Sequence, residues 1–216
     1  GEKMVIWQTS EGTFPTWDGT ELFYRSWRPR ADSNKALILI HRGHEHSGRL
    51  DELLRDLKLE DFWGFAWDAR GHGKSPGERG DAPSFDCLVK DLDTFVKYVG
   101  QKYNIPVENM AVVSNSVGSV IASTWVHDYA PRIRALVLAA PAFRIRLYVP
   151  LAIPGLRLLQ KINDKASISS YVKSKMLTHD PQQAKKYDED KLITRNISVN
   201  ILLGLHDTAT RIMDDA

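Results

Sequence analysis

Four dense apolar runs punctuate the first two thirds of this chain: Ala36–His41, Phe62–Trp67, Met110–Ser114 and Ile133–Ala139. Runs this short and this apolar suit strands buried on both faces, as in parallel sheets covered by helices. Stretches with apolar residues at helical spacing separate them. Leu50, Leu53, Leu54 and Leu57 form one stripe, which Ser47 is placed to cap. Leu88, Leu92, Phe95, Val96 and Val99 form another behind a cap at Ser84. A third helix is expected from Ser116 to about Tyr129. Ahead of this alternation, Val5–Phe14 and Thr20–Trp27 read as a hairpin turned through Trp17-Asp18-Gly19. The pattern predicts an α/β fold, a mostly parallel sheet that right-handed crossovers cover with helices on both faces.

After Pro141 the rhythm changes. No clear strand is expected between Ala142 and Ala216. Asp180-Pro181 reads as a helix start. Ser198–Asp214 reads as a long helix with Ile201, Leu202, Leu205 and Ile212 on its apolar side. The expected division is a core over residues 1–140 and a helical cap over 141–216. Such a cap would overlie the C-terminal edge of the sheet, where open α/β sheets take their ligands.

Composition narrows the partners. A formal net charge of +2 gives no field that implies nucleic acid. The single cysteine, Cys87, excludes an internal disulfide framework and a four-cysteine zinc site, and fits a cytoplasmic protein. The first residues lack the pattern of a secretory signal. Leu147–Leu159 is apolar but broken by Pro150, Pro154, Gly155 and Arg157, too short and interrupted for a membrane span.

The stretch that carries chemistry is Met110-Ala-Val-Val-Ser-Asn-Ser-Val-Gly-Ser119. An apolar strand ends in a tight corner and passes straight into a helix. That corner exposes a serine and supplies helix-start N–H groups beside it, as a nucleophile elbow requires. Small residues two positions either side relieve the crowding; here they are Ser114 and Gly118. Read alone, the corner fits equally a Ser116 that only caps its helix.

Further motifs extend the pattern over nearly the whole chain: Tyr24-Arg-Ser-Trp-Arg28, His41-Arg-Gly-His-Glu-His-Ser-Gly-Arg49, Trp67-Asp-Ala-Arg-Gly-His-Gly-Lys-Ser-Pro-Gly-Glu-Arg-Gly80, Ala139-Ala-Pro-Ala-Phe143 and Thr178-His-Asp180. Together they resemble the monoglyceride lipase and lysophospholipase, S33-type, branch of the α/β-hydrolases. The resemblance implies Ser116 as nucleophile, with an oxyanion hole from the backbone N–H groups of Gly43 and Val117. It implies no cofactor. The family's glycines are replaced at Arg42, His44 and Ser114. In this fold the acid and base follow the serine in the order Asp, His, on loops after later strands. They are expected beyond residue 216, so the fold is expected to be incomplete at its C-terminus and this stretch alone to turn over little substrate. The sheet edge so exposed would be covered by the remaining segment or another subunit.

Other polar clusters have plainer readings. His41, His44, Glu45 and His46 have the wrong spacing for a helical His-Glu-x-x-His metal site and read as a folded loop with satisfied imidazoles. Asp68, Arg70, His72 and Ser75 lie in a glycine-rich turn whose charged side chains are expected to pair across it. His127, His179 and His206 read as surface or cap residues rather than the base. In the cap, Phe143, Leu147, Tyr148, Leu151 and Ile153, interleaved with Arg144, Arg146 and Arg157, fit an acyl channel or a lipid-facing rim as well as plain packing. The expected activity is hydrolysis of monoacylglycerol or lysophospholipid-like esters through an acyl-enzyme, at most peripheral to a membrane. An acyltransferase using the same serine and a non-catalytic binding or scaffold domain are the alternatives.

Overall fold

The computed structural model describes residues 7–43, 45–141, 157–158, 160–163, 167–169, 182, 185, 189–192 and 196–214, and at 115–117, 138–141, 167–169 and parts of 196–214 the backbone alone. Strands β1 (Trp7–Pro15) and β2 (Glu21–Pro29) form the expected hairpin, with Gly19 at a positive φ of 81° in its turn. β3 (Ala36–Ile40), β4 (Trp63–Trp67), β5 (Met110–Ser116) and β6 (Ala135–Pro141) are the four apolar runs. The sheet order is β1-β2-β4-β3-β5-β6, antiparallel through β2–β4 and parallel from β4 to β6. β6 begins two residues later than its apolar run because its ladder opens with Ala135 opposite Ala111.

Helix α1 (Asp51–Leu57) covers one face; α2 (Phe85–Tyr103) and α3 (Val117–Tyr129) cover the other. Alternation along β3 divides the core accordingly. Leu37 and Leu39 pack with Trp27, Leu54 and Val113, while Ile38 and Ile40 join Phe65, Leu92, Phe95 and Trp125. All five β3 side chains are buried, so the strand carries no polar face at all. Ser84 caps α2 as expected, its hydroxyl accepting from the Cys87 N–H. The cap of the α1 segment differs. The chain enters through a 3-10 turn at Ser47–Leu50, so the capping residue is His46, whose Nδ1 accepts from the Gly48 N–H at 3.2 Å. Ser47 is fully buried and its N–H donates instead to Asp68 at 2.6 Å.

Two short strands were unexpected: β7 (Ser167–Ser169) and β8 (Asn196–Ser198) pair antiparallel. At three residues each they are too short to show alternation. The long helix is present as α4 (Val199–Asp214), capped by Ser198, whose hydroxyl accepts from the Ile201 N–H. It buries Val199, Ile201 and Leu203 and packs on α2 and α3. Arg211 forks onto Asp128 of α3 at 2.9 and 3.0 Å.

One buried cation ties three distant segments together. Arg70, expected to pair within its own turn, reaches out of it. Its guanidinium donates to both oxygens of Asp91 on α2 (2.7 and 3.0 Å) and of Asp18 in the hairpin turn (2.6 and 2.8 Å). The Arg70 guanidinium holds the Asp18 carboxyl well below the usual carboxylate range.

Candidate active site

Neighbouring parallel strands end side by side, and that brings the sequence-predicted groups together. β3 and β5 pair with Ile40 opposite Ser114. Gly43 lies three residues past Ile40, and Ser116 two residues past Ser114, at the same edge of the sheet. Strand β5 ends at Ser116 and α3 begins at Val117, with no intervening loop. A strand-to-helix corner this abrupt aims the first-turn N–H groups of the helix, which have no intrahelical partners, over the strand end.

Gly118 explains why the corner closes. A Cβ there would lie 2.8 Å from Ile40 Cγ2 and 3.3 Å from the His41 carbonyl oxygen. Ile40 is β-branched and stiff, so neither neighbour gives way cheaply. Gly118→Ala is expected to destabilise the protein by about 1–3 kcal/mol, read as a lower urea midpoint; an unchanged midpoint would mean the corner tolerates wider spacing. Ser114, where the resembled family has glycine, is 2% exposed, and its hydroxyl donates to Ser119 at 3.3 Å. The extra hydroxyl is thus accommodated behind the corner rather than in front of it.

The loop after β3 is fixed from below by the turn after β4. Glu45 N–H donates to the Arg42 carbonyl at 3.1 Å, closing a turn around Gly43. Asp68, fully buried, accepts from Ser47 N–H and from Lys74 N–H at 2.8 Å. His41 Nε2 accepts from Ala69 N–H at 3.0 Å, which places the ring proton on Nδ1, donating to the Arg42 carbonyl at 2.7 Å. Burial pushes the His41 pKa down, against the opposing pull of Asp68, the Arg42 carbonyl and Glu45. The folded state therefore refuses a proton that the unfolded chain takes below about pH 6.5. Stability should therefore fall as the pH drops through about 6.5, where the unfolded histidine takes up its proton. His41→Gln keeps an acceptor for Ala69 without a titrating ring. It should remove that share of the slope in denaturant titrations, and an unaltered slope would contradict the assignment.

His46 and Asp190 form a histidine–carboxylate pair, but one wired differently from a catalytic one. His46 Nε2 donates to Asp190 Oδ2 at 2.6 Å, and its other nitrogen already accepts from Gly48. No lone pair remains to take a proton from a serine. Burial would raise the Asp190 pKa; the His46 and Leu192 N–H donors outweigh it and hold the carboxyl lower. Sequence reasoning missed Asp190 entirely. His127 lies on the surface of α3 and shares a 2.7 Å contact with Asp128. His44, His179 and the cap residues Phe143, Leu147, Tyr148, Leu151 and Ile153 lie outside the described residues, as does the expected helix start at Asp180-Pro181, and of His206 the backbone alone is described. Among the described residues, no group of three or more His, Cys, Asp or Glu could hold a metal ion, and no helix is long and apolar enough to cross a membrane.

Comparison with known proteins decides the family. Residues 31–216 match the model of the family described as serine aminopeptidase, S33. The chain belongs to the S33 serine aminopeptidase family. Within it, this S33 chain is 50% identical over 207 residues to the uncharacterised protein YnbC of Escherichia coli K12, covering 95% of this chain and 35% of YnbC. It is 28% identical over 190 residues to the monoglyceride lipase of Rattus norvegicus, covering 87% of this chain and 61% of that enzyme. The S33 chain therefore spans about a third of one relative and under two thirds of the other. Among solved structures, the monoacylglycerol lipase of Paleococcus ferrophilus superposes with a TM-score of 0.73 at 25% identity, over 97% of this chain and 73% of that one. A soluble variant of monoglyceride lipase from Saccharomyces cerevisiae gives a TM-score of 0.71 at 19% identity, over 97% and 69%. The S33 chain thus has the α/β-hydrolase fold, with helices on both faces of a mostly parallel sheet and a helical cap region, in the branch that holds the monoglyceride lipases.

Proposed function

We propose that this chain carries the nucleophile and oxyanion hole of a serine ester hydrolase acting on monoacylglycerol or lysophospholipid-like esters. Ser116 attacks the ester carbonyl, and the N–H groups of Gly43 and Val117 receive the oxyanion. A histidine takes the serine proton and returns it to the departing alcohol; water then releases the acyl group as the free acid. We place that histidine and its orienting Asp outside residues 1–216, on loops after later strands. Residues 1–140 serve as core and 141–216 as cap, whose apolar residues from Phe143 to Ile153 face the acyl chain and, at their rim, a membrane surface from the cytoplasmic side.

The observation that carries this reading is the β3–β5 register, which sets the Gly43 turn beside the Ser116–Val117 corner. The names of the rat and Paleococcus relatives support the substrate class. The experiment is hydrolysis of a medium-chain monoacylglycerol by the longest natural chain that carries residues 1–216, with Ser116→Ala beside it. Product trapped on added glycerol would mark a transferase. Absence of turnover on any ester would return the site to a binding role.

A further inference from the structure

Asp190 is 144 residues from His46 in sequence, yet the two meet at 2.6 Å, with side chains 19% and 6% exposed. Each uses both of its ends. Asp190 Oδ1 accepts from Leu192 N–H at 2.9 Å, holding its own segment, while Oδ2 holds His46. His46 caps the 3-10 turn with one nitrogen and reaches Asp190 with the other. Arg49 stands beside both, 3.8 Å from Asp190 and 3.6 Å from Glu45, itself buried at the end of the Gly43 turn. Charged and titratable neighbours from the other elements are Asp68 and His41 below the loop and Arg25 of β2 near Gly48.

We infer that Asp190 is a positioning residue: by holding His46, the segment of the cap around Asp190 sets the loop that presents the Gly43 N–H. The inference rests on the reading of Gly43 as an oxyanion donor. An N–H donor is worth most when it is held in place before charge develops, and a shift of about 1 Å costs rate without costing substrate binding. Six residues, 41–46, separate β3 from the 3-10 turn at Ser47, and Asp190 holds the last of them from a distant part of the chain. The contacts from Asp68 and Ala69 hold it from below; Asp190 holds it from above.

Two substitutions separate this role from simple capping. His46→Asn keeps an acceptor for Gly48, since its oxygen occupies the Nδ1 position and Asn is a good cap, but it is too short to reach Asp190. His46→Gln places an N–H donor near the Nε2 position and restores that reach. The test is hydrogen exchange of peptides spanning residues 41–50, with kcat and KM measured beside it, on the longest natural chain. Asp190→Ala and His46→Asn should each speed exchange of that loop by about tenfold, leave α2 unchanged, and lower kcat by about tenfold at near-constant KM. Their double variant should be no worse than either alone, and His46→Gln should recover most of the loss. Unchanged exchange in both single variants would overturn the inference, as would faster exchange with kcat intact. If the unaltered protein hydrolyses no ester, the enzymatic reading alone fails, and the exchange result still decides whether Asp190 holds the loop.

Discussion

Replacing Ser116 with alanine is expected to lower the kcat of ester hydrolysis by about four to six orders of magnitude, with KM little changed. The substitution deletes only the atom that would form the acyl bond. The described features that shape the corner are backbone or lie elsewhere: the β3–β5 ladder, the close approach of Gly118 to Ile40, and the abrupt start of α3. The N–H groups proposed to receive the oxyanion would therefore survive, and the small residual rate expected from them is the reason the loss is finite. Ser114→Ala is the matched control. It removes a buried hydroxyl two residues away, bonded behind the corner to Ser119, and should leave turnover essentially intact. Equal loss in both variants would show that the corner had merely been disturbed. Activity that survives Ser116→Ala would place the nucleophile elsewhere and remove the basis of the proposed function.

Arg70→Met should cost about 3–5 kcal/mol of folding stability, the largest structural effect predicted for this molecule. Asp91 is 1% exposed and would be left as a buried carboxylate without its countercharge. Asp18 would lose the fork that holds its pKa down, and the hairpin turn its tether to α2. Lysine cannot replace the arginine, because one ammonium cannot serve two carboxylates with paired parallel bonds. The sign of a second change makes the argument sharp. Adding Asp91→Leu to Arg70→Met should recover part of the lost stability, since no buried charge is then orphaned and the carboxylate left behind, Asp18, is exposed to solvent. A double variant worse than the single would mean that packing, rather than uncompensated charge, dominates the site.

Most of the sheet is legible in the sequence because its strands are buried on both faces and therefore read as solid apolar runs. Helix α2 is equally plain: Ser84 caps it and its buried stripe repeats at helical spacing. The strand-to-helix corner is visible for a related reason, since the apolar strand runs through Ser114-Asn-Ser116 straight into a helix that opens with Val117-Gly118. What escapes is whatever depends on partners far away in the chain. Ser47 has the chemistry of a cap, but Asp68 claims its N–H and the chain turns one residue early, so His46 takes the role. Arg70 sits in a turn full of charge, and nothing local says that its partners are Asp18 and Asp91. Asp190 carries no signal at all, because its meaning is the histidine it meets. β7 and β8 are too brief for periodicity to register.

The strand order has a consequence for where any ligand of this fold must go. From β3 the chain crosses over α1 to β4 on one side; from β4 it passes over α2 to β5 on the other. Handedness of the crossovers sends the connections leaving β3 and β5 to opposite faces. Between those two strand ends the sheet is left uncovered, a topological switch point. The crevice is therefore a property of chirality and connectivity, present before any side chain is chosen. Chemistry at its floor can be gained, altered or lost by changing a few residues while the opening itself persists, so capture of a ligand and cleavage of its bond are separable inheritances of this architecture.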